Sequence, residues 1–244
     1  MVGRYRFAGI TVEIHSLHGQ IHRMCEEYRI TDAPVDITIR VSQADVDEAR
    51  KLFERVAKAE GRNPGNPSDS FVETIAVHGQ IAEALPAYGS VLMHGSCLAV
   101  DGAAYLFCAP SGTGKSTHAR LWREMLGDRV LMVNDDKPLI RVADGRVLAC
   151  GTPWNGKHHL SANVSIPLRA ICLLERGERN EIERLSYTEG YHVLMRHLYR
   201  PFSATALARS LGLFNEVLSN VELWRLRCTM DAEAARVSYE ALHG

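Results

Sequence analysis

Apolar and polar positions alternate through residues 5–14 (YRFAGITVEI) and again through 35–41 (VDITIRV), the two-residue period of strands with one buried face. Ser42 and Asp45 then give a helix-opening capping pattern, after which Val46, Ala49, Leu52, Phe53 and Val56 fall on one helical face. Residues 61–68 (GRNPGNPS) break the pattern with a polar, turn-rich stretch. A division is expected there, with a small α+β segment over 1–66 and a larger domain over 67–244. The larger domain opens on a second helix, with a Ser70/Glu73 capping pattern and an apolar face at Val72, Ile75, Ala76, Ile81 and Leu85 that stops at Pro86.

Two apolar runs follow, 91–100 and 103–109, separated by Asp101-Gly102. An Asp-Gly pair between such runs predicts a tight hairpin, because both central residues of a type I′ turn need positive φ. The second run leads into a glycine-rich loop, a helix over 116–126 and a strand over 130–134. Beyond it the pattern predicts a hairpin over 139–150 tipped by Asp144-Gly145, a buried strand at 170–174 and a strand at 222–228. Helices are expected at 188–198, 204–218 and 231–242.

Composition narrows the function classes. A hydrophobic share of 46% across 244 residues supports a real core, and a net charge of −1 gives no basic excess for nucleic acid. No apolar run is long enough to span a bilayer, and the first residues hold no signal-peptide core, so a cytoplasmic protein without membrane partners is expected. The cysteines are scattered without a CxxC pair and read as reduced, buried thiols.

The chemistry concentrates in 109–116, Ala-Pro-Ser-Gly-Thr-Gly-Lys-Ser, a phosphate-binding-loop pattern with Ala at its first glycine. Gly112 and Gly114 allow the backbone amides of Ser111, Gly112, Thr113 and Gly114 to turn inward as an anion nest, and the following helix directs its positive end there. Lys115 is placed to reach nucleotide phosphates, and the Ser116 hydroxyl to ligate Mg²⁺. Asp135 and Asp136 end the 130–134 strand. Two carboxylates there can divide metal holding and proton acceptance; an exposed Asn-Asp-Asp turn is the alternative.

Taken together, His94-Gly95, the strand feeding 111–116 and Val133-Asn134-Asp135-Asp136 resemble the catalytic domain of the HPr kinase/phosphorylase group, related in fold to ATP-dependent phosphoenolpyruvate carboxykinases. The resemblance implies an α/β fold with a mixed β-sheet, a phosphate loop and flanking helices. It implies a kinase that uses ATP and Mg²⁺. By resemblance His94 is an active-site histidine, Lys115 the phosphate lysine, Ser116 and Asp135 metal ligands and Asp136 the catalytic base, with the order of the two acids open. His94 alone also reads as a hydrogen-bonded histidine at a strand end.

Thr117 stands where those kinases carry an acid, and it is grouped with the nucleotide-binding loop. Their downstream signature with a glutamate and an arginine is replaced here by 151–159 (GTPWNGKHH), which offers Lys157 as a second cation and Trp154 as a packing anchor. The expected partners are nucleotide and a hydroxyl-bearing acceptor: a small molecule, a peptide or a protein serine. The N-terminal segment is assigned to the acceptor site or to a homo-oligomer interface. A nucleotide-binding switch or slow ATPase acting on a partner is the second reading, and carboxykinase-type lyase chemistry the third. His15, His18, His22 and Cys25 have metal-like spacing but no partner pair, His192 and His197 do not share a helical face, and Arg196 and Arg200 read as solvated arginines, with cations that hold an acidic acceptor as the alternative.

Overall fold

Ala8 and Gly9 both take positive φ, 51° and 78°, and turn the first alternating stretch back on itself. The computed structural model, which describes residues 1–59 and 61–244, therefore has two antiparallel strands, β1 (Val2–Phe7) and β2 (Ile10–His15), where one strand over 5–14 is expected. Alanine in this conformation is uncommon, which hid the turn from the sequence pattern. Strand β3 (Ile37–Arg40) adds parallel to β2, and Tyr5, Phe7, Val12, Ile14, Ile37 and Ile39 bury the inner face.

The same unit contains helices α1 (Gln20–Met24), α2 (Gln43–Ala59) and α3 (Asp69–Ala84). Ser42 and Asp45 bond reciprocally at the start of α2, but Val56 is 44% exposed and lies off the buried face. The cap of α3 is Ser68, whose hydroxyl accepts the Phe71 N–H, and not Ser70. Glu73 is buried and accepts the backbone N–H groups of Leu17 and His18, a use that replaces its expected capping role. Because α3 packs on α1, α2 and β3, this compact unit is Met1–Tyr88, and it extends beyond the division expected between 66 and 67. Both ring nitrogens of His22 are engaged, by Tyr5 and Ser16, and His15 faces Glu13.

The second unit is Gly89–Gly244. Its strands are β4 (Ser90–Leu92), β5 (Ser96–Val100), β6 (Ala103–Cys108), β7 (Val130–Asn134), β8 (Leu139–Ala143), β9 (Arg146–Cys150), β10 (Ser165–Arg176), β11 (Glu181–Arg184) and β12 (Glu222–Cys228). Both Asp-Gly hairpins form with positive φ at each central residue. The run over 91–100 is not one strand: the chain leaves the ladder at His94-Gly95, since β4 pairs with β8 whereas β5 pairs with β6 and β7. Strand β10 changes partners along its length. Residues 165–167 run antiparallel to β9, and 170–176 run parallel to β6 and β12, with a register shift between. The result is a curled mixed sheet in the order β4-β8-β9-β10-β6-β5-β7, extended beside β10 by β12 and β11.

Alternation along β6 sorts the core. Tyr105 and Phe107 face α4 (Lys115–Leu126) and α7 (Ala232–His243), packing with Trp122, Ala235 and Leu242. Leu106 and Cys108 face the other side, with Leu194 of α5 (Tyr187–Leu194) and Phe214 and Val217 of α6 (Ala204–Asn220). Each of the larger ones, such as Leu106, Phe107 and Phe214, contributes about 1.5–3 kcal/mol on burial. Helices therefore cover both faces of an α/β sheet.

All six cysteines are buried and free, and burial pushes the thiols of Cys97, Cys108 and Cys172 up and away from reactive thiolate. Among the described residues no helix is long and apolar enough to cross a membrane.

Candidate functional site

Strands β6 and β7 are both antiparallel to β5, so they run in the same direction and their C-terminal ends share one edge of the sheet. The chain after β6 forms the 109–114 loop, that after β7 carries Asp135 and Asp136, and His94 stands just ahead of β5. Topology thus brings the sequence-predicted residues from three separate stretches to one edge.

Gly112 and Gly114 take φ of 77° and 117°, and Gly114 serves as N-cap of α4, its carbonyl accepting the His118 N–H at 2.8 Å. The Thr113 N–H bonds the Pro110 carbonyl, closing a turn inside the loop. Lys115 is buried, and its Nζ donates to the carbonyls of Ala109 at 2.8 Å and Pro110 at 3.4 Å. Burial lowers the Lys115 pKa, and Cys108, Asp136 and Asp135 counter it. The two acids therefore lie within electrostatic reach of the lysine. Thr117 sits half-buried in the first turn of α4, and Ser111 is exposed.

Asn134, fully buried at the end of β7, organises the turn that follows. Its carbonyl oxygen accepts the N–H groups of Asp136 and Lys137, and its amide donates to the carbonyl and hydroxyl of Thr152. The two carboxylates then point to different partners. Asp135 is buried and accepts from the Ser96 hydroxyl at 2.6 Å, while Asp136 Oδ1 lies 3.2 Å from His94 Nδ1. Ser116 and Asp135 line one small pocket. A hydroxyl and a carboxylate suit a hard cation such as Mg²⁺, which takes one or two protein oxygens and fills its shell with water and phosphate.

The 151–159 stretch packs beside the acids. Gly156, at φ 69°, abuts Asp136, where an added Cβ would lie 3.2 Å from the Asp136 Cβ. Lys157 follows on an exposed turn and makes no ion pair among the described residues. Trp154 is buried, consistent with a packing anchor.

The structure adds residues that sequence reasoning passed over. The His197 carbonyl accepts the His94 N–H at 2.7 Å, and Met93 bridges to Leu198, so the chain after α5 holds His94 in place. The His197 ring is itself buried and its pKa is pushed down to about 4, by desolvation first and then by the charges of His94, Lys115 and Arg196. Arg176, at the end of β10, donates to the Gly112 carbonyl at 3.0 Å. The Met230 thioether lies over Gly114. None of these carries a local motif; the one available signal was the long β10 run ending beside the loop-bearing strand.

The family model described as SynChlorMet cassette protein ScmC matches residues 68–196, a span that takes in every sequence-predicted site residue named above. No curated protein matches the sequence. Among solved structures, the HPr(Ser) kinase/phosphatase from Coxiella burnetii is similar with a TM-score of 0.35 and 10% identity, over 63% of this chain and 99% of that one.

Proposed function

We propose that this chain, which belongs to the SynChlorMet cassette protein ScmC family, is an ATP- and Mg²⁺-dependent kinase of the HPr kinase-like type that moves the γ-phosphoryl group onto a hydroxyl. One observation carries the reading: the Lys115 loop, the Ser116–Asp135 oxygen pair and the His94–Asp136 pair converge on one sheet edge. In this reading the fold is that of the HPr kinase catalytic domain, and the 109–116 segment is its phosphate loop.

Lys115 exchanges its bonds to the Ala109 and Pro110 carbonyls for phosphate oxygens, while amides of the loop and the α4 N-terminus, with Thr117 in its first turn, bind the remaining negative charge. Ser116 and Asp135 would hold Mg²⁺, which would supply charge neutralisation on the triphosphate. Asp136 takes the proton of the acceptor hydroxyl as its oxygen bonds the γ-phosphorus and the bond to the bridging oxygen of the departing diphosphate breaks. His94, 3.2 Å from Asp136, orients that carboxylate, and Lys157 supplies a second cation beside it.

The test is transfer from γ-labelled ATP with Mg²⁺ to fractionated small-molecule, peptide and protein pools, comparing wild type with Asp136→Asn. Label in an acid-stable product with wild type alone establishes the hydroxyl kinase. Release of inorganic phosphate alone, or saturable ATP binding without turnover, replaces it with the nucleotide-dependent switch.

A further inference from the structure

One face of α4 presents Ser116, Ala119, Arg120 and Arg123, spaced as helix neighbours, and a half-enclosed pocket of about 80 Å³ opens along it. The opposite wall is Met132 of β7 with Asp135, His158 and Leu160. The lining combines the two residues of the candidate metal pair, Ser116 and Asp135, with Arg120, Arg123 and His158 and the apolar Ala119, Met132 and Leu160.

The two arginines are not equivalent. Arg120 is already paired with Glu124, one turn further along the helix. Arg123 lines the same pocket and makes no ion pair among the described residues. A guanidinium in that state recognises a carboxylate or phosphate through two parallel hydrogen bonds.

Size and lining decide which part of a substrate enters. Nucleoside pockets run to about 300 Å³ or more and offer apolar or aromatic surface for the base. This pocket is far smaller, and its one ring is the exposed His158. The volume corresponds to roughly two or three waters at about 30 Å³ each, enough for an acid group and its neighbouring carbon.

We propose that the pocket between α4 and β7 binds the anionic group of a small hydroxy-acid acceptor, gripped by Arg123 with support from Arg120, so that the acceptor hydroxyl is presented past Ser116 and Asp135 to the phosphoryl donor. This rests on the phosphotransferase reading and names its acceptor class.

The test uses the full chain with Mg²⁺ and a non-hydrolysable ATP analogue, titrated with glycerate, glycerol phosphate and glycerol. These share a three-carbon hydroxyl frame and differ in the anionic group. Binding is followed by the Arg123 Nε–H resonance, assigned by its loss in Arg123→Gln, and by calorimetry. The expected result is a saturable response to glycerate or glycerol phosphate and none to glycerol. Arg123→Gln should weaken the acid by about tenfold or more while leaving nucleotide affinity unchanged. Whichever acid binds tighter identifies carboxylate or phosphate as the recognised group. Equal responses to glycerol and the acids, no response to either acid, or unaltered acid affinity in Arg123→Gln would overturn the proposal. Acid binding without any nucleotide binding would retain the pocket and sink the kinase reading instead.

Discussion

The side-chain carbonyl of Asn134 accepts the Asp136 N–H at 2.9 Å from a position with no solvent exposure. The same oxygen takes the Lys137 N–H, and the amide holds Thr152, so one side chain fixes the peptide planes around the proposed base. Asn134→Ala leaves those groups short of partners. Urea unfolding should show a loss of about 2–4 kcal/mol, with turnover falling more than nucleotide affinity. Asn134→Asp, which keeps the acceptor but sets a buried carboxylate against the Thr152 carbonyl, should lose at least as much stability; turnover and affinity dropping in parallel would remove the positioning role.

Lys115 is 9% exposed and satisfied by backbone carbonyls, and its charge gains nothing from burial. Lys115→Met preserves the volume and removes that charge. Stability should stay within about 1 kcal/mol of wild type or rise, while ATP affinity drops by about a hundredfold or more. Calorimetry reads the affinity directly, and a variant that binds ATP as wild type does would take Lys115 out of the site.

Ser96 reaches Asp135 from the first residue of β5, with both groups buried. Outer partners of this kind orient a ligating carboxylate. Ser96→Ala should raise the Mg²⁺ concentration for half-maximal turnover by about tenfold or more while the ATP dependence at saturating metal stays close to wild type. An unchanged magnesium titration would place the metal elsewhere.

Gly114 combines a φ of 117° with the Met230 thioether where a Cβ would go. The methionine end can swing aside, whereas the backbone angle remains unfavourable for any L side chain. Gly114→Ala should therefore cost about 1–3 kcal/mol and weaken nucleotide binding, and adding Met230→Ala should recover little of either. Full recovery in the double variant would make the side-chain clash the cause.

His118 and His197 give the fold an acid limit. Burial pushes His118 down to about 4, and His197 falls to about 4 as well. Ser238 Oγ donates to the Ala235 carbonyl and accepts from Trp122, which makes His118 Nε2 the second donor to that oxygen. The unfolded chain binds protons near pH 6.5 while the folded one does not until about 4. Stability is thus complete above about 6.5 and declines as pH falls toward 4, by about 3 kcal/mol for His118. His118→Asn should lower stability at neutral pH and flatten the acid slope in denaturant titrations. An unaltered slope would assign the limit to other groups.

Local chemistry explains which parts of this molecule were readable in one dimension. Asp101-Gly102 and Asp144-Gly145 mark their hairpins because few residue pairs tolerate two positive φ values, and the 130–134 and 222–228 strands are found where the pattern sets them. The turn at Ala8-Gly9 was missed because only half of it has the expected residue type. Ser68 and Ser70 are equivalent as letters, and Glu73 joins the two loop amides of Leu17 and His18 only in three dimensions. In the candidate site, the proposed residues Lys115, Ser116, Asp135 and Asp136 announce themselves through neighbours in sequence. His197 and Arg176 act on the loop and on His94 through pairings between strands and turns far apart in the chain, so no window of sequence contains them.

The bridge from Met93 to Leu198 has a consequence in time. The loop, its helix and both aspartates are complete by residue 136, but the segment that fixes His94 is made some sixty residues later, about three to twelve seconds of synthesis at bacterial and eukaryotic rates. Until it arrives the emerging chain has the letters of the site without its register.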